Sequence, residues 1–113
     1  MAYNEQLAQR VRRALARQNV EEKRMFGGLG FMVDGKLCVA VNNRPDHVML
    51  VRINPETQKD ALKRKGAKVA VMRGRKMSGW IFLDDAAITN KKYFEYWIEL
   101  ALDFNEQIIK SRK

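Results

Sequence analysis

A chain of 113 residues with 46% hydrophobic and 31% charged side chains has the make-up of one folded domain, residues 1–113, with a modest core. It has no apolar run near the roughly 20 residues of a membrane-crossing helix, no basic and apolar leader at Met1-Ala2-Tyr3-Asn4-Glu5-Gln6, and a single cysteine, Cys38, that can form no internal disulfide, so the expected location is the cytoplasm. The net charge is +9, and residues 54–79 hold most of the excess, with eight Lys/Arg against two Asp/Glu, a balance that favours nucleic acid, phosphorylated ligands or an acidic protein as partner.

In residues 4–18, Leu7, Ala8, Val11, Ala14 and Leu15 form one helical stripe, with Arg10, Arg12, Arg13 and Arg17 largely off it. Asn19 ends this helix, and Glu21, Glu22 and Lys23 read as a short polar connection. Residues 26–33 and 36–41 are the strands of a hairpin around Asp34-Gly35, the strongest short-range hairpin signal. Cys38, between Leu37 and Val39, reads as a small buried apolar residue. After a turn cluster at 42–46, residues 47–53 make a third strand, with Val48, Leu50 and Arg52 on one side and Met49, Val51 and Ile53 on the other.

Asn54, Pro55 and Glu56 open a second helix that Gly66 closes, and Lys63, Arg64 and Lys65 fall in its last turn, where cations suit the helix dipole. Residues 67–72 are a fourth strand, 73–79 a basic connection, 80–83 a fifth strand and 84–89 a loop. From residue 90 to about 111 runs a final helix whose stripe of Tyr93, Phe94, Trp97, Ile98, Ala101, Leu102, Phe104, Ile108 and Ile109 is wide enough to cover a sheet. The order α-β-β-β-α-β-β-α, with short turns between consecutive strands, predicts an α+β domain in two layers: a five-stranded antiparallel sheet with helices on one face. The other face is then exposed or covered by a partner.

Gly27, Gly28 and Gly30 sit at the entrance of the first strand, where glycine weakens pairing, so they require a bend, a bulge or a close backbone approach in an edge-like strand. A phosphate loop does not fit, because such loops join a strand to a helix N-terminus. One histidine and one cysteine do not build a metal site, and His47, opening a strand after a turn, reads as a surface or packing residue. Ser78 and Ser111 are the only serines and have no activating neighbour in sequence, while Asp84 and Asp85 lie where carboxylates serve turns and caps. No residue is predicted to be catalytic, to bind a cofactor or to ligate a metal.

The candidate contact surface is the segment Met72-Arg73-Gly74-Arg75-Lys76-Met77-Ser78-Gly79-Trp80, with Arg73, Arg75 and Lys76 as its cations, Gly74 and Gly79 as flexible points and Trp80 following. These cations suit an anion or a stacked base, and equally a solvated hairpin turn. Trp80 opens an apolar strand and reads as core.

Two separated motifs resemble one bacterial family. Arg24-Met25-Phe26-Gly27-Gly28, followed by Phe31-Met32-Val33-Asp34-Gly35-Lys36, is similar to the most recognisable stretch of the TfoX (Sxy) N-terminal domain family. Gly74-Arg75-Lys76-Met77-Ser78-Gly79-Trp80 resembles its second motif, Gly-Arg-x-Met-x-Gly followed by an aromatic. Leu50-Val51-Arg52 resembles its third strand, and Trp97 through Ala101-Leu102-Asp103-Phe104 its last helix. The resemblance implies a two-layer α+β fold with Arg24, Met25, Phe26, Gly27, Gly28, Gly35, Gly74, Gly79 and Trp80 as structural motif positions. It also implies a link to regulation: the longer TfoX and Sxy proteins are positive regulators of natural competence, act with the cyclic-AMP receptor protein at promoters, and carry a second, C-terminal domain. For this chain it implies a stand-alone single-domain member with no catalytic residue and no cofactor.

The expected function is a small cytoplasmic, non-enzymatic binding or regulatory module that makes protein or nucleic-acid contacts through residues 54–79. One alternative is a protein-interaction or homodimerisation module with no nucleic-acid role; another is a small-molecule binder. A basic surface continuous from Arg73, Arg75 and Lys76 to the second helix favours the first, an exposed apolar sheet face the second, and a deep pocket with convergent polar groups the third.

Overall fold

The computed structural model describes residues 3–25 and 27–111. Helix α1 (Glu5–Ala14) starts at Asn4, whose Oδ1 accepts from the Gln6 and Leu7 N–H groups at 2.8 and 3.2 Å. It ends earlier than its stripe predicts: Leu15 is already the C-cap, although its side chain stays buried with Leu7, Ala8 and Val11.

The chain then enters strand β1 (Val20–Met25), where a polar connection was expected. Strands β2 (Gly28–Val33), β3 (Lys36–Val41) and β4 (Met49–Arg52) follow, then β5 (Ala67–Met72) and β6 (Arg75–Leu83). The sheet therefore has six strands rather than five, in the order β1-β2-β3-β4-β6-β5, with every neighbouring pair antiparallel. The element order gains a strand after α1. β1 escapes a hydrophobic pattern because it is an edge: Glu21, Glu22, Lys23 and Arg24 are all exposed, and the strand is held by its ladder to β2. Arg12 adds a cross-tie from α1, reaching Glu22 at 2.8 Å and Glu5 at 2.7 Å. Its guanidinium lowers the Glu22 pKa below the usual carboxylate range.

The helix expected over residues 54–66 shrinks to a 3-10 turn (Pro55–Thr57) and one α-helical turn, α2 (Gln58–Ala61). Its only fully buried anchor is Ala61, too little apolar surface to sustain a longer helix. Asn54 Oδ1 caps the Glu56 N–H at 2.9 Å as predicted; Gly66 takes the left-handed φ +80° but lies beyond the end of α2, so it does not stop the helix. In residues 84–89, Asp84 caps a 3-10 turn (Asp85–Ile88) that buries Ala87 and Ile88. Helix α3 (Lys91–Ser111) closes the fold, with Asn90 Oδ1 accepting from the Tyr93 N–H at 2.9 Å.

Helices α1 and α3 cover one face of the sheet. The residues that alternate toward them are Phe31 and Val33 on β2, Val39 and Val41 on β3, Met49 and Val51 on β4, and Ile81 and Leu83 on β6. They pack against Leu7, Val11, Leu15, Phe94, Trp97, Ile98 and Ala101, as the helical stripes predict. Each large side chain buried here contributes roughly 1.5–3 kcal/mol. Tyr93 departs from its stripe and is 43% exposed. Asn105 is a polar member of the buried set, its Nδ2 donating to the Val33 carbonyl at 3.1 Å. Among the described residues no helix is long and apolar enough to cross a membrane.

Candidate functional site: the open face of the sheet

On the opposite face, period-2 alternation places Ala40, Leu50, Phe82, Arg52 and Trp80, with Leu50 paired to Phe82 and Arg52 to Trp80 across β4 and β6. Ala40, Leu50 and Ala70 are buried in a small second cluster, and Met72, Met77, Trp80 and Phe82 pack on it while remaining partly exposed. Trp80 is thus not the core residue that its place in an apolar strand predicts; it is half-buried on the open face. Its neighbour Ile81 points into the helix-side core, which turns the indole outward.

The residues 73–79 form no extended connection. Arg73 and Gly74, with φ of 53° and 78°, make a two-residue hairpin tip, and β6 begins at Arg75. Farther along, the ladder steps from Val69↔Ile81 to Ala70↔Met77, leaving Ser78, Gly79 and Trp80 as a bulge in β6. Gly79 fixes that bulge. It has φ +85°, its carbonyl accepts from the Ile53 N–H at 2.7 Å, and its N–H donates to Gln58 Oε1. A Cβ there would stand 2.9 Å from the Ile53 carbonyl oxygen. The second motif is therefore a turn-and-bulge unit that presents Met77 and Trp80 on the open face.

Between them lies a concave groove of about 710 Å³ lined by Met72, Arg73, Arg75, Met77 and Trp80. Three linings are apolar, two are guanidinium groups and none is acidic. The Arg52 guanidinium lies 5.0 Å from the centroid of the Trp80 ring and 5.6 Å from that of Phe104, a cation–π arrangement that supports the indole from behind. Arg73, Arg75 and Lys76 are all exposed, and none makes an ion pair with another described residue. Arg73 and Arg75 reach the groove; Lys76, opposite Val71, does not line it.

The first motif has a different role. Met25 pairs with Gly28 at the end of the antiparallel β1–β2 ladder, so the glycines lie where two strands meet and not at a bend inside one edge-like strand. Gly27 supplies φ +71° beneath the Arg44 guanidinium. At Gly28 a Cβ would be only 2.0 Å from the Val41 carbonyl oxygen. Gly30 is covered by the Met25 side chain. Arg24 is exposed on β1, Asp34 and Gly35 (φ 51° and 83°) form the β2–β3 turn, and Phe26 lies outside the described residues. None of the described positions among these lines the groove.

A second hollow of about 350 Å³ adjoins the groove at Met72 and includes Asn42, Asp46, His47 and Phe82. Its central feature is His47 as a packing residue, one of the two roles that its place after a turn predicts. His47 is buried and stacks on Phe82, ring centroids 3.6 Å apart and planes 5° apart, with Nδ1 2.9 Å from Asp46. Burial lowers the imidazole pKa, and the Asp46 carboxylate only partly offsets this. Cys38 is the extra residue of a bulge in β3, between Met32↔Leu37 and Phe31↔Val39, and burial pushes its thiol up to about 12. Among the described residues, no three His, Cys, Asp or Glu side chains gather to hold a metal ion.

The basic middle of the chain is divided. Lys63, Arg64 and Lys65 precede β5, and Arg64 lies 3.4 Å above the Tyr96 ring on the helix side. Arg73, Arg75 and Lys76 follow at the other end of that strand, about 20 Å away at the usual rise per residue.

The model of the TfoX N-terminal domain family matches residues 12–105, a span that includes both glycine motifs, the groove and most of α3. No curated protein matches the chain. With the family model covering most of its length, the chain belongs to the TfoX N-terminal domain family.

Proposed function

We propose that this chain is a non-enzymatic binding module that holds an acidic, partly apolar protein partner on the open face of its sheet. The observation that carries the reading is the groove of Met72, Met77 and Trp80 flanked by Arg73 and Arg75. Tryptophan and arginine are the side chains that most often dominate protein interfaces, and methionine adapts its shape to a partner. Both arginines are unopposed, so an acidic segment meets them without first displacing a carboxylate. Cys38 and His47, the side chains best suited to nucleophilic or acid–base chemistry, are engaged in packing. The regulatory role implied by the family resemblance would then run through protein contact.

A second reading keeps Arg73, Arg75 and Lys76 as a polyanion contact, favoured by their exposure at a hairpin tip. It is the weaker one, because the other cations of the segment sit at the far end of β5 and partly on the other face.

The test is capture from a bacterial lysate, with and without nuclease, on wild type, Met77→Asp and Arg73→Glu/Arg75→Glu. The proposal expects acidic proteins that survive nuclease on wild type and are lost on both variants. Retention of the same proteins by Met77→Asp overturns it. So does wild-type capture that nuclease abolishes; in that case Arg73→Ala/Arg75→Ala/Lys76→Ala should flatten the salt slope of nucleic-acid binding by roughly three units.

A further inference from the structure

We infer that the partner joins the sheet as a strand: the outer edge of β5 pairs with an extended acidic segment whose side chains reach the neighbouring groove. This rests on the reading that the open face binds protein.

The two edges of the sheet are built differently. On β1, the four exposed charges Glu21, Glu22, Lys23 and Arg24 blunt the edge, with Glu22 tied to Arg12 and Glu21 to Lys23. Strand β5, Ala67-Lys68-Val69-Ala70-Val71-Met72, carries one charge in six residues and no proline. Val71 is 49% exposed, one of only two large hydrophobic side chains so exposed among the described residues. β5 is the last strand of the sheet, so the backbone N–H and C=O groups on its outer side have no strand partner among the described residues. The bulge that breaks its ladder belongs to β6, and β5 itself runs on without an inserted residue. An outer edge of this length, apolar but for Lys68, is a template for strand addition.

Charge selects the occupant. Residues 63–76 contain seven Lys/Arg and no Asp/Glu: Lys63, Arg64 and Lys65 at the entry to β5, Lys68 within it, and Arg73, Arg75 and Lys76 beyond its exit. Pairing two copies of β5 antiparallel would lay the entry of one against the exit of the other, cations against cations, and a parallel pair would do the same in register. The same arrangement attracts a strand bearing carboxylates. Alternation then sends every second side chain of that strand toward the open face, where Met72 joins β5 to the groove.

The probe is a ten-residue peptide alternating Glu with Val and Phe, added to the full chain at about ten times its Kd. Amide hydrogen exchange and the methyl signals of Met72 and Met77 are followed together. Outward-facing amides of β5 should exchange about tenfold more slowly, with β1 unchanged. The same peptide N-methylated at alternate residues, which removes its donors, should lose binding. Methyl shifts at Met72 and Met77 without protection of β5, or equal binding of the N-methylated peptide, overturn the strand pairing and leave the groove reading standing. Absence of both responses overturns both. A dimer with β5 protected in the absence of peptide also overturns the inference, naming a second copy as the occupant.

Discussion

Alanine at Gly28 and at Gly30 should have very different consequences, although the two glycines lie two residues apart on β2. A Cβ on Gly28 would stand 2.0 Å from the Val41 carbonyl oxygen and 2.9 Å from the Asn42 Cβ. Reaching an ordinary contact at 3.4 Å needs a movement of about 1.4 Å between backbones. Val41 is laddered to Leu29 on one side and Met49 on the other, so neither strand yields without losing hydrogen bonds. Overpacking costs about 1–3 kcal/mol and sometimes more, and a backbone obstacle places Gly28→Ala at or above the top of that range. At roughly 4 °C or more per kcal/mol, the midpoint of thermal unfolding should fall by about 12 °C. The three atoms nearest a Cβ on Gly30 all belong to the Met25 side chain, with Sδ at 2.5 Å, and a methionine can swing aside. Gly30→Ala should therefore stay within about 1 kcal/mol of wild type, and Met25→Ala should remove that difference. Thermal and urea unfolding followed by circular dichroism measures all of these. Equal losses at the two glycines, or a larger loss at Gly30, would refute the packing argument.

Trp97 is 1% exposed beneath the sheet, with Tyr96 edge-on at 5.0 Å; Trp97→Ala should cost about 3–5 kcal/mol, and a melt matching wild type would contradict this. Because burial holds the folded His47 pKa below its usual 6.5, the unfolded chain takes up the proton first as pH falls. Its contribution is complete above about pH 6.5 and is lost as pH drops through the lowered folded value. His47→Phe, which keeps a ring on Phe82, should lose less stability than wild type on acidification, and parallel stability curves would count against it. Arg73 holds φ 53° at the β5–β6 turn, so Arg73→Asn, better suited to that conformation, should gain about 0.5 kcal/mol in urea unfolding; a loss would contradict the turn assignment.

The sequence makes the helix-side core legible because periodicity reports burial. Leu7, Val11 and Leu15 on α1, and Phe94, Trp97 and Ala101 on α3, stand where their spacing places them. Local chemistry is equally readable at Asn54 and Asp84, whose caps depend on nearby backbone alone, and at Gly66, which takes the left-handed conformation. β1 was hidden because an edge strand buries almost nothing, so Glu21 to Arg24 carry no alternation to read. The bulge at Gly79 was hidden because it is set by contacts with Ile53 and Gln58, more than 20 residues away. That bulge decides which side chains reach the groove, so the segment Met72 to Trp80 is identifiable as a candidate from its cations, while the apolar lining that Met72, Met77 and Trp80 give the groove is not. The stacking of His47 on Phe82 likewise joins residues 35 positions apart that carry no shared pattern.

The central claim, that the groove receives an acidic polypeptide, is tested most directly by ¹³C-methyl spectra of the methionines during titration. The acidic Glu/Val/Phe peptide is compared with a single-stranded oligonucleotide of equal charge. The account predicts that the peptide shifts Met72 and Met77, leaves core-buried Met49 in place, and binds more tightly than the oligonucleotide. Tighter binding of the oligonucleotide, or a peptide that leaves Met72 and Met77 unmoved, would contradict it.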